Sequence, residues 1–161
     1  MHDNINQDPT KYSSAIRNFC STCSVSLFNS LVYNNQASAC GAIQNEGILG
    51  INQSSQVYGN QATNTFGGAI CNTGSLSINR SLVYGNQAIT GTSAKRGGAI
   101  YQSDGSTTIG LSHIYDNIAE DGGAIFVSKG TVTLHTSKID GNTATGKGGG
   151  LIQWEETMLT N

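Results

Sequence analysis

Self-similarity constrains this chain more than any other feature. Gly-Gly-Ala-Ile stands at residues 67–70, 97–100 and 122–125, with weaker copies at 40–43 and 148–151. The motif ends are 27, 30, 25 and 26 residues apart. A second marker keeps its own step at Asn35, Asn60, Asn86, Asn117 and Asn142. Ser stands five residues before each of these, at Ser30, Ser55, Ser81, Ser112 and Ser137. Three residues before each stands Val32, Val57, Val83, Ile114 or Ile139, and two residues after stands Ala37, Ala62, Ala88, Ala119 or Ala144.

Between the two markers lies a short alternating segment. Its copies are Leu49/Ile51, Leu76/Ile78, Thr107/Ile109 and Val132/Leu134, interleaved with Gly50, Ser77, Thr108 and Thr133. That is the period of a half-buried strand. Gly47, Gly74, Gly105 and Gly130 precede these strands and are expected to supply positive-φ turns. A unit of 25–31 residues without helix-period segments is too short for a strand–helix–strand crossover. Each unit can instead close one coil, with like positions stacked at the ~4.8 Å strand spacing. The fold class is therefore all-β: a right-handed parallel β-helix of about five coils in a single domain, residues 1–161.

Both ends fall in mid-repeat. His2-Asp3-Asn4-Ile5 resembles Tyr115-Asp116-Asn117-Ile118, and Ser13-Ser14-Ala15-Ile16 resembles the Gly-Gly-Ala-Ile motif. Thr157-Met158-Leu159 stands where a further strand would begin. The expectation is a fragment of a longer solenoid, or a subunit whose half-coils meet head to tail in a fibre. One corner, between the Ala and the Gly-Gly motif, carries all the large insertions, the longest at residues 89–96. Function on solenoids tends to sit at such a corner.

The paired signatures, Gly-Gly-Ala-Ile and Val/Ile-x-x-Asn-x-Ala, resemble the repeats of polymorphic outer-membrane proteins. Those are autotransporter-like surface proteins with a β-helical, pectin-lyase-like passenger. That family favours Phe three residues before the Asn, where this chain has Val or Ile. The resemblance implies a secreted or cell-surface location and an adhesive role, and it brings no catalytic residues with it. Composition is compatible. Eight basic residues against ten acidic ones give no bulk attraction to nucleic acid. Charged residues are 11% of the chain, against ~25% in an ordinary domain. No membrane span, signal peptide or cofactor pattern is present in the sequence.

Several columns could carry chemistry. The Asn residues suit an internal ladder at a left-handed turn. Tyr33, Tyr58, Tyr84 and Tyr115 should point outward beside Gln36, Gln61 and Gln87. They could receive a sugar chain or a partner protein, or simply shield the coil edges. Ser75/Ser77, Ser106/Thr108 and Thr131/Thr133 form an outward hydroxyl array that reads as ordinary strand polarity. Glu120 and Asp121 at the variable corner face Lys95, Arg96 and Lys147 from adjacent coils, an expected ion-pair cluster. Asp116 and Asp140 lie one register position apart without a basic companion, so no catalytic cluster is recognisable. Cys20 and Cys23 suit a local disulfide in an exported protein. Free cysteines, with Cys40 and Cys71 at differing register positions, suit the sequence equally, and a zinc site would need all four to converge. Trp154 interrupts the pattern, as a divergent coil or a partial cap.

The expectation for function is a non-catalytic surface β-helix for adhesion or scaffolding. Its partner would be a host-surface protein or polysaccharide. A carbohydrate-binding or carbohydrate-active segment (lyase or hydrolase type) and a self-assembling fibre subunit are the alternatives.

Overall fold

Alternation of apolar and polar residues, punctuated by Gly and Asn, produces very short strands. The computed structural model describes residues 1–5, 15–89 and 91–154, and every regular element among them is a strand. The expectations placed on Ser13, Ser14 and residues 155–161 lie outside the described residues. Strands pair only with the like strand of the coil before or after, always parallel, in four sheets of 6, 5, 5 and 5 strands. The chain is a parallel β-solenoid.

Each sheet holds one segment of the repeat. The Gly-Gly sheet stacks Ile16–Asn18, Ile43–Asn45, Ile70–Asn72, Ile100–Gln102, Ile125–Val127 and Leu151–Gln153. The broad sheet stacks Ser24–Phe28, Ile48–Asn52, Ser75–Asn79, Ser106–Gly110 and Thr131–His135. The tyrosine sheet stacks Leu31–Tyr33, Gln56–Tyr58, Leu82–Tyr84, His113–Tyr115 and Lys138–Asp140, and two-residue strands ending in Ala form the fourth. Register never slips, despite the insertions: Ile43, Ile70, Ile100 and Ile125 pair in one column, and Val57, Val83, Ile114 and Ile139 in another. A slip by one residue would turn each apolar column outward, so burial itself fixes the register.

The core is these columns. Leu49, Ile51, Leu76, Ile78 and Ile109 fill it from the broad sheet, with the motif isoleucines opposite, all at most 1% exposed. Ser75, Ser77, Thr108, Thr131 and Thr133 face outward on the broad sheet as expected.

The two motif glycines have different reasons to be glycine. Gly67, Gly97 and Gly122 have φ of 63°, 70° and 63°. A Cβ on the second glycine would strike the next coil: that of Gly68 would lie 1.9 Å from the Gly98 carbonyl oxygen. Two turn expectations need correction. Gly105 and Gly130 do adopt positive φ, but Gly47 and Gly74 do not. They are glycine because a Cβ on Gly74 would lie 2.1 Å from the Gly47 carbonyl oxygen, and one on Gly47 2.3 Å from that of Cys20. At the Asn turn the left-handed residue is the one before the ladder Asn: Asn34, Gly59, Gly85, Asp116 and Gly141. The ladder Asn itself is free of that strain.

Candidate functional site

The Asn corner is a continuous amide ladder. Asn35 Nδ2 donates to Asn60 Oδ1 at 2.9 Å, and Asn60 to Asn86, Asn86 to Asn117 and Asn117 to Asn142 follow, each at 2.9 Å. Each Oδ1 also accepts the backbone N–H of the Asn one coil below, at 3.0 Å. Asn4 joins at the lower end, donating to Asn35 Oδ1 at 2.8 Å. Asn60, Asn86 and Asn117 are fully buried, so these bonds satisfy groups that would otherwise be costly to bury. A second ladder was not foreseen: Asn18 donates to Asn45 at 2.9 Å and Asn45 to Asn72 at 2.8 Å.

The tyrosine column is a stack of faces. Tyr33, Tyr58, Tyr84 and Tyr115 lie 4.9 Å apart ring to ring and 3–6° from coplanar, and His2 extends the stack by 4.7 Å. Ring faces within the stack are therefore covered by other rings, and what reaches solvent is their edges. That is poor geometry for a sugar, which packs on an open face. Gln36 Nε2 donates to Gln61 Oε1 at 2.8 Å, Gln87 pairs with Gln61 in register, and Tyr84 Oη donates to Gln56 Oε1 at 3.0 Å. Partial burial, then the neighbouring Tyr115 and Tyr58, raise the Tyr84 hydroxyl above its ordinary pKa. Of the two readings of this column, the shielding ladder accounts for these contacts.

Just outside the tyrosine sheet a groove of about 870 Å³ follows the corner with the broad sheet. Arg80, Leu111, His113, Leu134 and Lys138 line it. Asp140, expected to lack a basic companion, is corrected: it engages Lys138 at 2.6 Å and also contacts His113, and those two hydrogen bonds hold its carboxyl below the usual range.

The variable corner separates the residues the sequence grouped together. Lys95 Nζ meets Glu120 Oε2 at 3.1 Å, and this hydrogen bond is the first cause of a lowered Glu120 pKa. Asp121 Oδ1 accepts the backbone N–H of Lys147 at 2.9 Å. Arg96 corrects the ion-pair expectation. Its guanidinium centre lies 4.8 Å from the Phe126 ring centroid and 5.7 Å from that of Trp154, and its Nε is buried with no hydrogen-bond partner among the described residues. Lys147 Nζ lies 5.3 Å from the Trp154 centroid.

Those rings belong to a second aromatic column that sequence reasoning missed. Phe66, Tyr101, Phe126 and Trp154 follow one another at 4.4, 5.8 and 6.4 Å. Trp154 thus continues a column. Phe66 stands immediately before a motif Gly, whereas Tyr101 and Phe126 follow the motif Ile in their coils. The rings meet across different motif positions, so no single repeat position announces them.

The cysteines resolve as two disulfides, Cys20–Cys23 and Cys40–Cys71, with Cα separations of 5.0 and 5.1 Å. Free cysteines are thereby corrected. Cys40 occupies the first-glycine place of its motif, with φ 54°. The tight turn there brings position five of the motif back against position one: a Cβ on Gly67 would lie 2.8 Å from Cys71 Sγ. Differing register positions therefore do not keep Cys40 and Cys71 apart. Among the described residues no three of His, Cys, Asp and Glu converge as a metal-binding group. Asp116 and Asp140 are offset by one position, since Tyr115 pairs with Asp140. Compared with protein-family models, curated proteins and solved structures, the chain finds no match.

Proposed function

We propose that this chain is a non-catalytic, extracellular or cell-surface β-solenoid of the polymorphic outer-membrane-protein type, working as an adhesive scaffold. Its Asn ladders and its Cys40–Cys71 cross-link hold coil to coil. Disulfides persist in oxidising compartments, which fits an exported location.

One observation carries the adhesive reading. At the variable corner the Arg96 guanidinium is held against Phe126 and the exposed ring of Trp154, beside Lys147. A rigid cation on aromatic faces suits a partner that brings acceptors and apolar edges together, as a polysaccharide or a protein surface does. The tyrosine column serves the scaffold, and the adhesive residues are Arg96, Trp154 and Lys147, with Lys95 holding the loop through Glu120.

Binding of the labelled protein to a glycan array and to immobilised cell-surface proteins tests this. Saturable binding that falls roughly tenfold in Arg96→Ala, from a lost charge-assisted bond, is expected. Absence of any ligand sinks the adhesive reading. Cleavage of an acidic polysaccharide by the purified chain replaces it with the carbohydrate-active alternative.

A further inference from the structure

A small pocket on the Gly-Gly side of the solenoid has a chemistry of its own. It holds about 200 Å³ beside the Cys40–Cys71 disulfide and is lined by Gln44, Glu46, Phe66 and Tyr101 among others. Ligand pockets for drug-sized molecules run to ~300–1,000 Å³. This one is sized for a side-chain head or a small ligand.

Beside Asn45, Thr73 and Ser103 in its lining, two acceptors stand out, on Gln44 and Glu46. Gln44 Oε1 is buried with no hydrogen-bond partner among the described residues. Its orientation is fixed by Glu46, because Gln44 Nε2 donates to Glu46 Oε1 at 3.4 Å. Turning the amide over would set two acceptors against each other. Glu46 itself has no cationic partner among the described ion pairs. The nearest cation by register is Arg17, which pairs with Gln44 in the coil below, and its guanidinium centre lies 3.7 Å from the Phe19 centroid. Phe66 and Tyr101 stack at 4.4 Å and add aromatic surface. An unpaired carbonyl, a carboxylate that meets only an amide N–H and two rings all favour positive charge, and the carboxylate repels an anion.

We propose that this pocket binds an alkylammonium head, either a lysine side chain of a partner or a free primary amine. The ammonium would donate to Gln44 Oε1 and Glu46 while its methylenes lie against Phe66 and Tyr101. The site is separate from the Arg96 corner and does not depend on the adhesive reading.

NMR titration of the full chain with Nα-acetyl-lysine methylamide, n-butylammonium and neutral Nα-acetyl-norleucine methylamide tests it. Expected are saturable shifts at the Gln44 side-chain amide, Glu46 and Tyr101 with the two cations, at a Kd of about 1–10 mM for so small a contact. Glu46→Gln should weaken binding roughly tenfold without moving the unfolding midpoint. Equal affinity for both cations assigns recognition to the head alone. Tighter binding of the capped lysine points to a protein source. Absence of shifts, equal shifts with the norleucine compound, or unchanged affinity in Glu46→Gln overturns the proposal.

Discussion

The Asn corner and the variable corner close the same coils by different means. At the Asn corner successive coils contribute the same ladder Asn, and each Asn side chain bonds its own copy one coil away. The four tyrosine rings there repeat at 4.9 Å. At the variable corner the loops differ in length, and the rings drift from 4.4 to 6.4 Å. One corner measures the coil spacing. The other tolerates change, and it carries the insertions together with Lys95, Arg96 and Lys147. A solenoid can vary where its stacking is heterogeneous only because another column keeps the register.

The largest effect should come from breaking that column. The Asn86 side chain takes part in four hydrogen bonds, accepting from the Asn60 backbone and side chain and donating to Val57 O and Asn117 Oδ1. Asn86→Leu leaves several buried groups unpaired at ~1–3 kcal/mol each, so a loss of about 4–6 kcal/mol is expected. Asn4→Ala, at the exposed end, should cost under about 1 kcal/mol. Urea midpoints measure both. Equal losses would mean that the ladder does not act as the register device.

The two disulfides sharpen the comparison at the next level. Cys40–Cys71 joins neighbouring coils across a separation of 31 residues, whereas Cys20–Cys23 closes a turn across 3. Loop-closure entropy assigns about 4 kcal/mol to the first and about 1.6 kcal/mol to the second. Replacing each pair by Ala and comparing guanidinium midpoints under oxidising conditions should give that order. The reverse order would place the stabilising closure in the turn.

What the sequence makes legible follows the same division. The isoleucine, alanine, asparagine and tyrosine columns were readable because each residue meets its like at one repeat period. The column of Asn18, Asn45 and Asn72 gives a weaker signal, since Gln102 and Val127 replace Asn in the next coils. Cys40–Cys71 and Phe66–Tyr101 join unlike motif positions, so periodicity is silent about them. Arg96 was found by its place in the insertion. Its aromatic partners were not, because only the folded turn sets Phe126 and Trp154 against it.

Ring removal should separate the corners by a smaller margin. Tyr84 is stacked on both faces, by Tyr58 and Tyr115. Tyr84→Ala should cost about 2–4 kcal/mol from two lost stacks and the apolar area. Trp154 is 47% exposed and meets Phe126 on one side. Trp154→Ala should cost about 1 kcal/mol, mostly its cation contacts. Comparable losses would show the variable corner to be as structural as the Asn corner.

The smallest effects have opposite pH signs at representative groups of the two corners. The folded pKa of Tyr84 is raised above 10.0, first by burial and then by Tyr115 and Tyr58. The folded state therefore holds that proton more tightly than the unfolded chain. Its contribution is fully present below pH 10.0 and is lost as pH rises through the folded value. Glu120 behaves conversely: the Lys95 hydrogen bond and charge lower its pKa from 4.5. Its contribution is present above pH 4.5 and fades as pH falls through the folded value. Asp140, held low by Lys138 and then His113, shares that acid-side sign on the tyrosine sheet. Phenolate absorbance should reveal a tyrosine titrating above the ordinary value, and Tyr115→Phe should bring it down. The Glu120 carboxyl resonance should titrate below its ordinary value, and Lys95→Gln should return it there while leaving Asp140 unmoved. A Lys95 substitution that shifted both carboxyls would mean that the two corners are coupled electrostatically along the solenoid, against the independence that their separate ladders imply.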